Sequence, residues 1–341
     1  MAVLEIPTKP GATNTSLGAA RRAKNDEFYT QLTDIEKELR HYKHHFHGKV
    51  VLCNCDDPEW SNFWKYFTLN FEHLGLAKVV ATHYAQGEPS YKLEYLGSEQ
   101  PAVKTPLTGD GDFRSDECVA LLKDADIVVT NPPFSLFREY VAQLLAHNKK
   151  FLAIGSKNAL TYREIFRPLM ANQVWLGVTS PKQFLQPDGS FKVFGNIGWF
   201  TNLEHNKRNE EIVLFKKYKG NERQYPNYDN FDAIAIARVS EIPADYDGPM
   251  GVPITFLDKY NPEQFAILGL TKTWFNFANK KYPQQTQVSA NGVESLVTKL
   301  NDGAVLKVDS PPAGETYYKV GDSIYIQTYP RVIVKRKGAS K

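Results

Sequence analysis

Hydrophobic and polar positions change period repeatedly between residues 34 and 178. Short apolar runs rich in β-branched residues predict buried strands, and these lie at 49–53, 78–82, 127–130, 151–154 and 174–178. Between the runs, apolar residues recur every three or four positions, which predicts amphipathic helices at about 34–47, 57–75, 135–147 and 161–171. A shorter helix is predicted to open at Asp116 and Glu117. Repeated strand–helix units of this kind predict an α/β fold with a mostly parallel sheet.

Local signals predict where these helices begin and end. Asp57 followed by Pro58 is a typical helix start, and Gly75 is a typical helix end. Ser135 is placed to cap the helix at 135–147. The apolar stripe of the helix at 57–75 is assigned to the core, and it consists of Trp60, Phe63, Trp64, Phe67, Phe71 and Leu74.

The strand–helix alternation fades after residue 178. Apolar runs at 197–201 and 211–215 predict an antiparallel pair of strands. Residues 220–250 are rich in loop signals, and the apolar pieces that follow them are short. We therefore expect a flexible segment at 1–20, a large α/β domain at 21–220 and a smaller mixed region at 221–341.

Composition narrows the class of protein. The 341 residues are 13% aromatic and 23% charged, which is typical of a folded globular chain. No apolar run reaches about 18 residues, so no membrane contact is expected. The three cysteines, Cys53, Cys55 and Cys118, form no disulfide framework and favour a reducing cytoplasm. His41 and His45 are four apart, but nearby residues do not complete a metal site, so no metal is expected.

The net charge of +3 does not by itself indicate a nucleic-acid partner. What matters is how the charge is distributed, and basic residues do cluster. Lys207 and Arg208 belong to one such cluster, a few residues after the apolar run at 197–201. They are candidate contacts to DNA phosphates, although a solvated basic surface is the ordinary alternative.

The stretch Asn131-Pro132-Pro133-Phe134 links a predicted buried strand to a predicted helix. Two successive prolines fix φ, remove two backbone donors and hold the preceding residue extended. A polar residue presented stiffly at the carboxyl end of a strand is poorly suited to a core. Ligands of open α/β sheets bind at that end of the strands. The tetrapeptide is therefore the leading candidate for a functional site.

Carboxylates and aromatic residues would meet the tetrapeptide at the same edge of the sheet. They stand at 54–57 and 110–113, and a polar-aromatic stretch at 28–30 can fold back from upstream. Neither G-x-G-x-x-G nor G-x-x-x-x-G-K-[ST] is present, which disfavours dinucleotides and nucleoside triphosphates. A ligand with ribose hydroxyls and an adenine edge but no phosphate suits these groups. S-adenosylmethionine is such a ligand.

The tetrapeptide has a chemical interpretation beside such a ligand. An exocyclic or amide NH2 is a weak nucleophile because its lone pair is delocalised. The side-chain oxygen of Asn131 and the carbonyl of Pro132 can accept its two N–H bonds, and this stabilises the positive charge that develops during attack on a methyl group. Pro133 stiffens the presentation. Phe134 offers a face on which a planar substrate can stack.

Several stretches at these spacings point to a known family. They are 25–31 (Asn-Asp-Glu-Phe-Tyr-Thr-Gln), 53–58 (Cys-Asn-Cys-Asp-Asp-Pro), 109–115 (Gly-Asp-Gly-Asp-Phe-Arg-Ser), 126–137 and 199–203. With N-P-P-F among them, the chain resembles the EcoRI-type DNA adenine-N6 methyltransferases of restriction-modification systems. The resemblance covers most of the chain and becomes looser toward the C-terminus.

The resemblance implies a Rossmann-like S-adenosylmethionine-dependent fold at 21–220 and a target-recognition region at 221–341. The implied cofactor-binding residues are Phe28, Tyr29, Thr30, Asn54, Asp56, Asp112 and Phe113, of which Asp112 and Phe113 would bond and stack on the cofactor adenine. The implied catalytic residues are Asn131, Pro132, Pro133 and Phe134. Trp199 and Phe200 would contact the extruded target base, although an aromatic pair in a strand is more often part of a core.

The expected activity is site-specific methylation of the adenine N6 amine in double-stranded DNA, by base flipping and direct attack. Two features depart from the wider methyltransferase pattern: the glycine-rich turn after the first strand is missing, and Thr82-His83-Tyr84 stands where an acidic residue is usual. Methylation of RNA or of a protein glutamine, and a silent DNA-binding relative, remain alternatives. The expected partners are double-stranded DNA and a restriction endonuclease of the same system without a stable complex. The chain is expected to be a monomer or weak dimer in the bacterial cytoplasm.

Overall fold

The structure is a computed structural model that describes residues 29–55, 57–85, 87–97, 100–186 and 189–337. It divides into two compact units. The first comprises the described chain up to Ala159 together with Val174–His205, and the second comprises Leu160–Gln173 together with the chain from Asn206 onward. The predicted flexible segment at 1–20 lies outside the described residues. The predicted domain boundary near residue 220 stays a prediction.

The first unit contains most of the strands and helices expected from the alternating pattern. Its strands are β1 (Tyr29–Thr30), β2 (Val50–Cys53), β3 (Lys78–Thr82), β4 (Tyr91–Tyr95), β5 (Val103–Pro106), β6 (Ile127–Thr130), β7 (Lys150–Ser156), β8 (Trp175–Leu176), β9 (Gln183–Leu185), β10 (Phe191–Val193) and β11 (Ile197–Thr201). Its helices are α1 (Leu32–Leu39), α2 (Asn62–Leu69), α3 (Phe71–Leu74), α4 (Asp116–Asp124) and α5 (Phe137–Ala146).

An eight-stranded sheet forms the centre of the first unit, in the order β5-β4-β3-β2-β6-β7-β11-β8. The four central strands β3, β2, β6 and β7 are parallel, as predicted. The flanking pairs are antiparallel, so the whole sheet is mixed rather than mostly parallel. The physical reason is that the chain returns from β3 to β4, and from β4 to β5, without a crossover helix, which a parallel connection would need.

The central strands are apolar because both faces of the sheet are covered. All four residues of β6 are buried, and so are all five residues of β11. Phe63 and Phe67 of α2 pack into the same core. Trp60, which the sequence pattern assigned to this stripe, is 65% exposed instead. It precedes α2 and lies in a turn, so the helical spacing that included it does not apply.

Two predicted helix starts are wrong. Helix α2 is capped by Ser61, whose Oγ accepts from the backbone N–H of Phe63 at 3.2 Å. Asp57 instead accepts from the N–H of Glu59 within the preceding turn. Ser135 does not cap α5, because residues 133–136 form a turn in which Leu136 N donates to the carbonyl of Pro133.

One predicted helix end is confirmed and one is wrong. The C-cap at Gly75 is confirmed, with φ of +62° after α3. The helix at about 34–47 is shorter than predicted, since α1 ends at Leu39 and a 3-10 turn follows at Lys43–His45.

The strand predicted at 211–215 is absent from the described structure. The backbone N–H and carbonyl of Ile212 are bonded by the side-chain amide of Gln264, so that a side chain takes the place of a partner strand. β11 was predicted correctly, and its antiparallel partners are β7 and β8. A separate three-stranded sheet, β1-β9-β10, is fully antiparallel.

The second unit is built mainly from β-strands. They are β12 (Ile234–Ala235), β13 (Met250–Pro253), β14 (Phe265–Leu270), β15 (Gln285–Val288), β16 (Glu294–Val297), β17 (Val305–Val308), β18 (Tyr317–Val320), β19 (Ser323–Gln327) and β20 (Arg331–Arg336), and α6 (Arg163–Met170) belongs to the same unit. They form a four-stranded sheet, β12-β13-β20-β14, and a five-stranded sheet, β16-β15-β18-β19-β17. Small apolar clusters lie beside these sheets, one around Ile333 and one around Tyr325.

Candidate active site

A cavity of about 100 Å³ lies at the carboxyl edge of the parallel strands of the first unit. Its walls come from the segments that follow β2, β3 and β6 and from the turn before α4. The lining residues are Asn54, Cys55, Tyr84, Gly111, Asp112, Phe113, Arg114, Pro133 and Leu136. The structure therefore brings together Asn54, Asp112, Phe113 and the tetrapeptide, at the edge where open α/β sheets bind ligands.

A buried tyrosine orients the floor of the cavity. Tyr140 of α5 is fully buried, and its hydroxyl donates to Oδ1 of Asn54 at 2.5 Å. Burial raises the pKa of Tyr140, so the phenol stays a neutral donor. The Tyr140 ring meets the Phe113 ring edge to face, with centroids 5.0 Å apart. One residue thus positions both the amide of Asn54 and the ring of Phe113.

The turn at residues 109–113 needs a glycine at position 111. Gly111 has φ of +82°, and an added Cβ would stand 1.9 Å from the carbonyl oxygen of His83. The same turn is bonded to the segment after β3, because Ala85 N donates to the carbonyl of Asp110 at 2.8 Å. This close approach places Tyr84 and Asp112 in the wall of one cavity.

Asp112 is held by Arg114 through three hydrogen bonds. Oδ1 accepts from the backbone N–H and the Nε of Arg114, both at 2.9 Å, and Oδ2 accepts from Nη2 at 2.6 Å. These bonds hold the pKa of the Asp112 carboxyl below its ordinary value. The neighbouring backbone is fixed too, since Gln143 Nε2 donates to the carbonyl of Phe113 at 3.1 Å.

The tetrapeptide leaves the end of β6 and turns into α5. Asn131 and Pro132 are buried, while Pro133 and Phe134 are half-buried. Pro133 lines the cavity. The ring of Phe134 meets the buried Phe194 edge to face at 6.3 Å, and Phe194 in turn meets Phe184 of β9 at 5.7 Å.

The upstream stretch lies on the small sheet that carries these aromatic residues. Tyr29 and Thr30 form β1, which pairs with β9. The carbonyl of Thr30 accepts from Asn62 Nδ2 at 2.7 Å, which ties β1 to the start of α2. Phe28 and Asp56, both predicted to bind the cofactor, lie outside the described residues.

The remaining predicted substrate residues do not line the cavity. Trp199 is fully buried and meets Phe63 edge to face at 6.0 Å, and Phe200 is fully buried against Phe137 at 4.8 Å. Lys207 and Arg208 lie in a short 3-10 helix of the second unit, Asn206–Asn209. Arg208 Nη2 donates to Oδ1 of Asn172 at 3.0 Å.

Six residues of the site were not among the predicted site residues. They are Cys55, Tyr84, Gly111, Arg114, Leu136 and Tyr140. Tyr84 could have been found from its place directly after a predicted strand, and Arg114 from its place beside Asp112. Tyr140 falls within the amphipathic helix predicted at 135–147, and nothing in its spacing signals that its hydroxyl reaches Asn54.

Two features are absent from the part of the chain that the structure describes. No three or more of the described His, Cys, Asp and Glu side chains form a group that could hold a metal ion. No helix among those residues is long and apolar enough to cross a membrane.

The mixed α/β sheet and the N-P-P-F turn at the end of β6 are consistent with a methyltransferase, the class that the sequence motifs predicted. Comparison with known proteins narrows this class. The family model described as adenine-specific methyltransferase EcoRI matches residues 16–337. The chain belongs to this family, as its sequence motifs predicted.

Three relatives are similar over most of their length. Type II methyltransferase M.EcoRI of Escherichia coli is 45% identical, with 76% of this chain and 90% of the relative covered. Type II methyltransferase M.MpnI of Mycoplasma pneumoniae is 43% identical, with 73% and 83% covered. Type II methyltransferase M.MgeORF184P of Mycoplasma genitalium is 39% identical, with 73% and 84% covered. No solved structure matches this chain.

Proposed function

We propose that this protein transfers a methyl group from S-adenosylmethionine to the N6 amine of adenine at a specific site in double-stranded DNA. The observation that carries the proposal is the N-P-P-F turn, held at the end of β6 with Pro133 in the wall of the cavity. Membership of the adenine-specific family and three relatives named Type II methyltransferases support it.

The chemistry of the cavity fits S-adenosylmethionine. Tyr84 and Phe113 offer aromatic faces, and Asp112 offers an ionised acceptor. When bound, S-adenosylmethionine would supply an electrophilic methyl group. Asn54, Asp112 and Phe113 would hold the nucleoside part in a Rossmann-like site, and Tyr29 and Thr30 would contact the methionine end.

Asn131 and Pro132 would activate the adenine amine. The oxygens of the Asn131 side chain and the Pro132 backbone accept the two N–H bonds of that amine. This arrangement concentrates the nitrogen lone pair and stabilises positive charge as it develops, without any reorganisation at the moment of attack. Burial of both residues strengthens the effect, because water does not screen it.

Phe134 would stack on the extruded adenine. A base inside a duplex cannot reach the end of β6, so it must flip out at a cost of a few kcal/mol. Stacking on an aromatic ring is worth about 1–3 kcal/mol per base, which offsets much of that cost. The role proposed for Trp199 and Phe200 at the target base would require the first unit to rearrange, because both rings are fully buried.

The second unit would read the DNA sequence, and the prediction of a target-recognition region at 221–341 belongs to this proposal. Lys207 and Arg208, at the start of the segment that begins at Asn206, would contact phosphates. Such contacts position a protein on the duplex but carry no sequence information. A restriction endonuclease of the same system would act separately on unmodified DNA, and a monomer of this chain would suffice to modify each strand in turn.

A substrate comparison tests the proposal. Purified full-length protein is incubated with S-adenosylmethionine labelled in the methyl group and with duplex DNA, RNA or a glutamine-containing protein. Label should enter the duplex alone and should be recovered as N6-methyladenine. Label in RNA or protein would favour the alternative methyltransferase functions, and absence of cofactor binding by calorimetry would favour a silent DNA-binding relative.

A further inference from the structure

Arg114 commits most of its donors to acidic groups at the wall of the cavity. Its backbone N–H, Nε and Nη2 all donate to Asp112. Its Nη1 lies 3.5 Å from Oε2 of Glu139 on α5. The guanidinium stands 5.4 Å from the centre of the Phe113 ring. Arg114 therefore links the turn before α4 to α5 and fixes the carboxylate between them.

The bonding of Asp112 leaves little acceptor capacity for a ligand. A carboxylate has about four lone-pair positions, two on each oxygen. Arg114 fills both positions of Oδ1 and one position of Oδ2. One position, on Oδ2, is left for the donor of a ligand, and the fork of Arg114 prevents the carboxylate from rotating to offer another.

We propose that Arg114 is a positioning residue that makes the cavity selective for a purine carrying a 6-amino group over one carrying a 6-oxo group. The inference rests on the proposed binding of an adenosyl ligand beside Asp112. An amino group donates to the remaining position on Oδ2. A 6-oxo group is itself an acceptor and cannot donate to this position. The N1–H of a 6-oxo purine lies one ring position away, and a carboxylate fixed by Arg114 cannot turn to accept it.

Removing Arg114 would relax this selectivity for two physical reasons. The carboxylate would be able to rotate, and water would be able to occupy its vacant positions and bridge to either purine. It would also protonate more readily, and a protonated carboxyl can donate to a 6-oxo group. Loss of Arg114 should therefore reduce discrimination more than it reduces binding itself.

A calorimetric comparison of two ligands tests the inference. S-adenosylhomocysteine has an amino group at the purine 6-position and an unprotonated N1, whereas S-inosylhomocysteine has a 6-oxo group and an N1–H. The full-length protein should prefer the adenosyl ligand by roughly 10- to 100-fold, as expected for a hydrogen bond to a charged acceptor. Arg114→Met and Asp112→Asn should reduce that preference to about threefold or less, and Arg114→Lys should lie between, because its single ammonium cannot form the fork.

The controls separate this inference from general damage and from the proposed function. Arg163→Met removes an exposed arginine of the second unit and should keep the preference of the unaltered protein. Each variant is checked by thermal unfolding, and Arg114→Lys retains the charge if Arg114→Met does not fold.

A preference unchanged in Arg114→Met and Arg114→Lys would overturn the inference while leaving the proposed function standing. Tighter adenosyl binding in these variants would also overturn it, since Arg114 would then compete with the ligand for Asp112. Failure of the unaltered protein to bind either ligand would overturn both proposals.

Discussion

The side chains around the cavity are held in place by buried neighbours that the sequence pattern does not distinguish from ordinary core residues. Tyr140 repeats at helical spacing among apolar residues, yet its hydroxyl is the donor that fixes Asn54. In the sequence Gly111 looks like an ordinary loop glycine, yet its lack of a side chain allows the turn to approach the backbone of His83. Function at this site depends on these supports as well as on the residues that would touch a ligand.

Tyr140→Phe should destabilise the first unit. The substitution removes the hydroxyl and leaves Oδ1 of Asn54 as a buried acceptor without this donor, which costs about 1–3 kcal/mol. Urea unfolding followed by fluorescence measures the change, and the affinity for S-adenosylhomocysteine should fall in parallel. Tyr66→Phe is the matched control, since Tyr66 is also buried in the first unit and no hydrogen bond of its hydroxyl is seen among the described residues. Equal stability of the two variants would show that the Tyr140 hydroxyl is not needed.

Gly111→Ala should weaken ligand binding as well as stability. The residue has positive φ, and a methyl group there would collide with a backbone carbonyl, so the turn must shift. A cost of about 1–3 kcal/mol is expected for such strain. Gly109→Ala is the control, because a Cβ at Gly109 meets no atom within 4 Å. Thermal unfolding and calorimetry should separate the two variants, and similar behaviour of both would contradict the role given to Gly111.

The sequence predicted site residues well where their chemistry is unusual for a core. It was ambiguous where several neighbouring residues could fill the same structural role. The stiff polar turn at Asn131 and the pair Asp112 and Phe113 were predicted as site residues, and the structure brings them to one edge of the sheet. Asp57 and Ser61 are both good helix caps by side-chain chemistry, and only tertiary packing selects Ser61. The burial of Trp199 and Phe200 likewise depends on which strands flank β11, which periodicity alone does not show.

At the scale of elements, the small sheet β1-β9-β10 supports the N-P-P-F turn from outside the main sheet. Phe184 of β9 and Phe194, directly after β10, form an aromatic chain that ends on Phe134. The strand pairing of β1 with β9 connects residues far apart in the sequence. Such a long-range pairing of very short strands has too little periodic signal to predict. The central parallel strands were predictable because each one is a continuous apolar run.

Phe194→Ala should impair stacking by Phe134 more than it impairs cofactor binding. Loss of the edge-to-face neighbour leaves the Phe134 ring able to turn away from the position proposed for the extruded base. Duplex DNA with 2-aminopurine at the target adenine reports extrusion as a rise in fluorescence, and that rise should shrink several-fold. Phe191→Ala, on the exposed side of β10, is the control. If both variants extrude the base as the unaltered protein does, the small sheet does not position Phe134.

At the scale of the whole molecule, the chain combines an α/β unit with a unit made mainly of antiparallel strands. The change from alternating strands and helices to short apolar pieces predicted two regions. It did not reveal that Leu160–Gln173, which includes α6, packs with the second unit. An amphipathic helix between two predicted strands of one sheet is normally expected to pack on that sheet. Only the tertiary structure shows that α6 belongs to the second unit.

The salt dependence of DNA binding should report the phosphate contacts proposed for the second unit. Replacing both Lys207 and Arg208 with Gln should reduce the slope of log affinity against log salt by roughly one unit for each phosphate that the variant no longer neutralises. Lys37→Gln with Arg40→Gln removes the same charge from α1 and its C-terminal end in the first unit and serves as the control. If the Lys207 and Arg208 variant leaves the slope unchanged, or if both variants change it equally, Lys207 and Arg208 do not make specific phosphate contacts.

The central claim is that the protein methylates adenine N6 within one DNA sequence and that Asn131 is needed for this transfer. Single-molecule sequencing of DNA from cells that express the protein tests it most directly, because it reports modified base, strand and sequence together. The unaltered protein should leave N6-methyladenine at every copy of one short sequence, and Asn131→Ala should leave none while still binding S-adenosylhomocysteine. Unmodified DNA with the unaltered protein, or undiminished methylation with Asn131→Ala, would contradict the account.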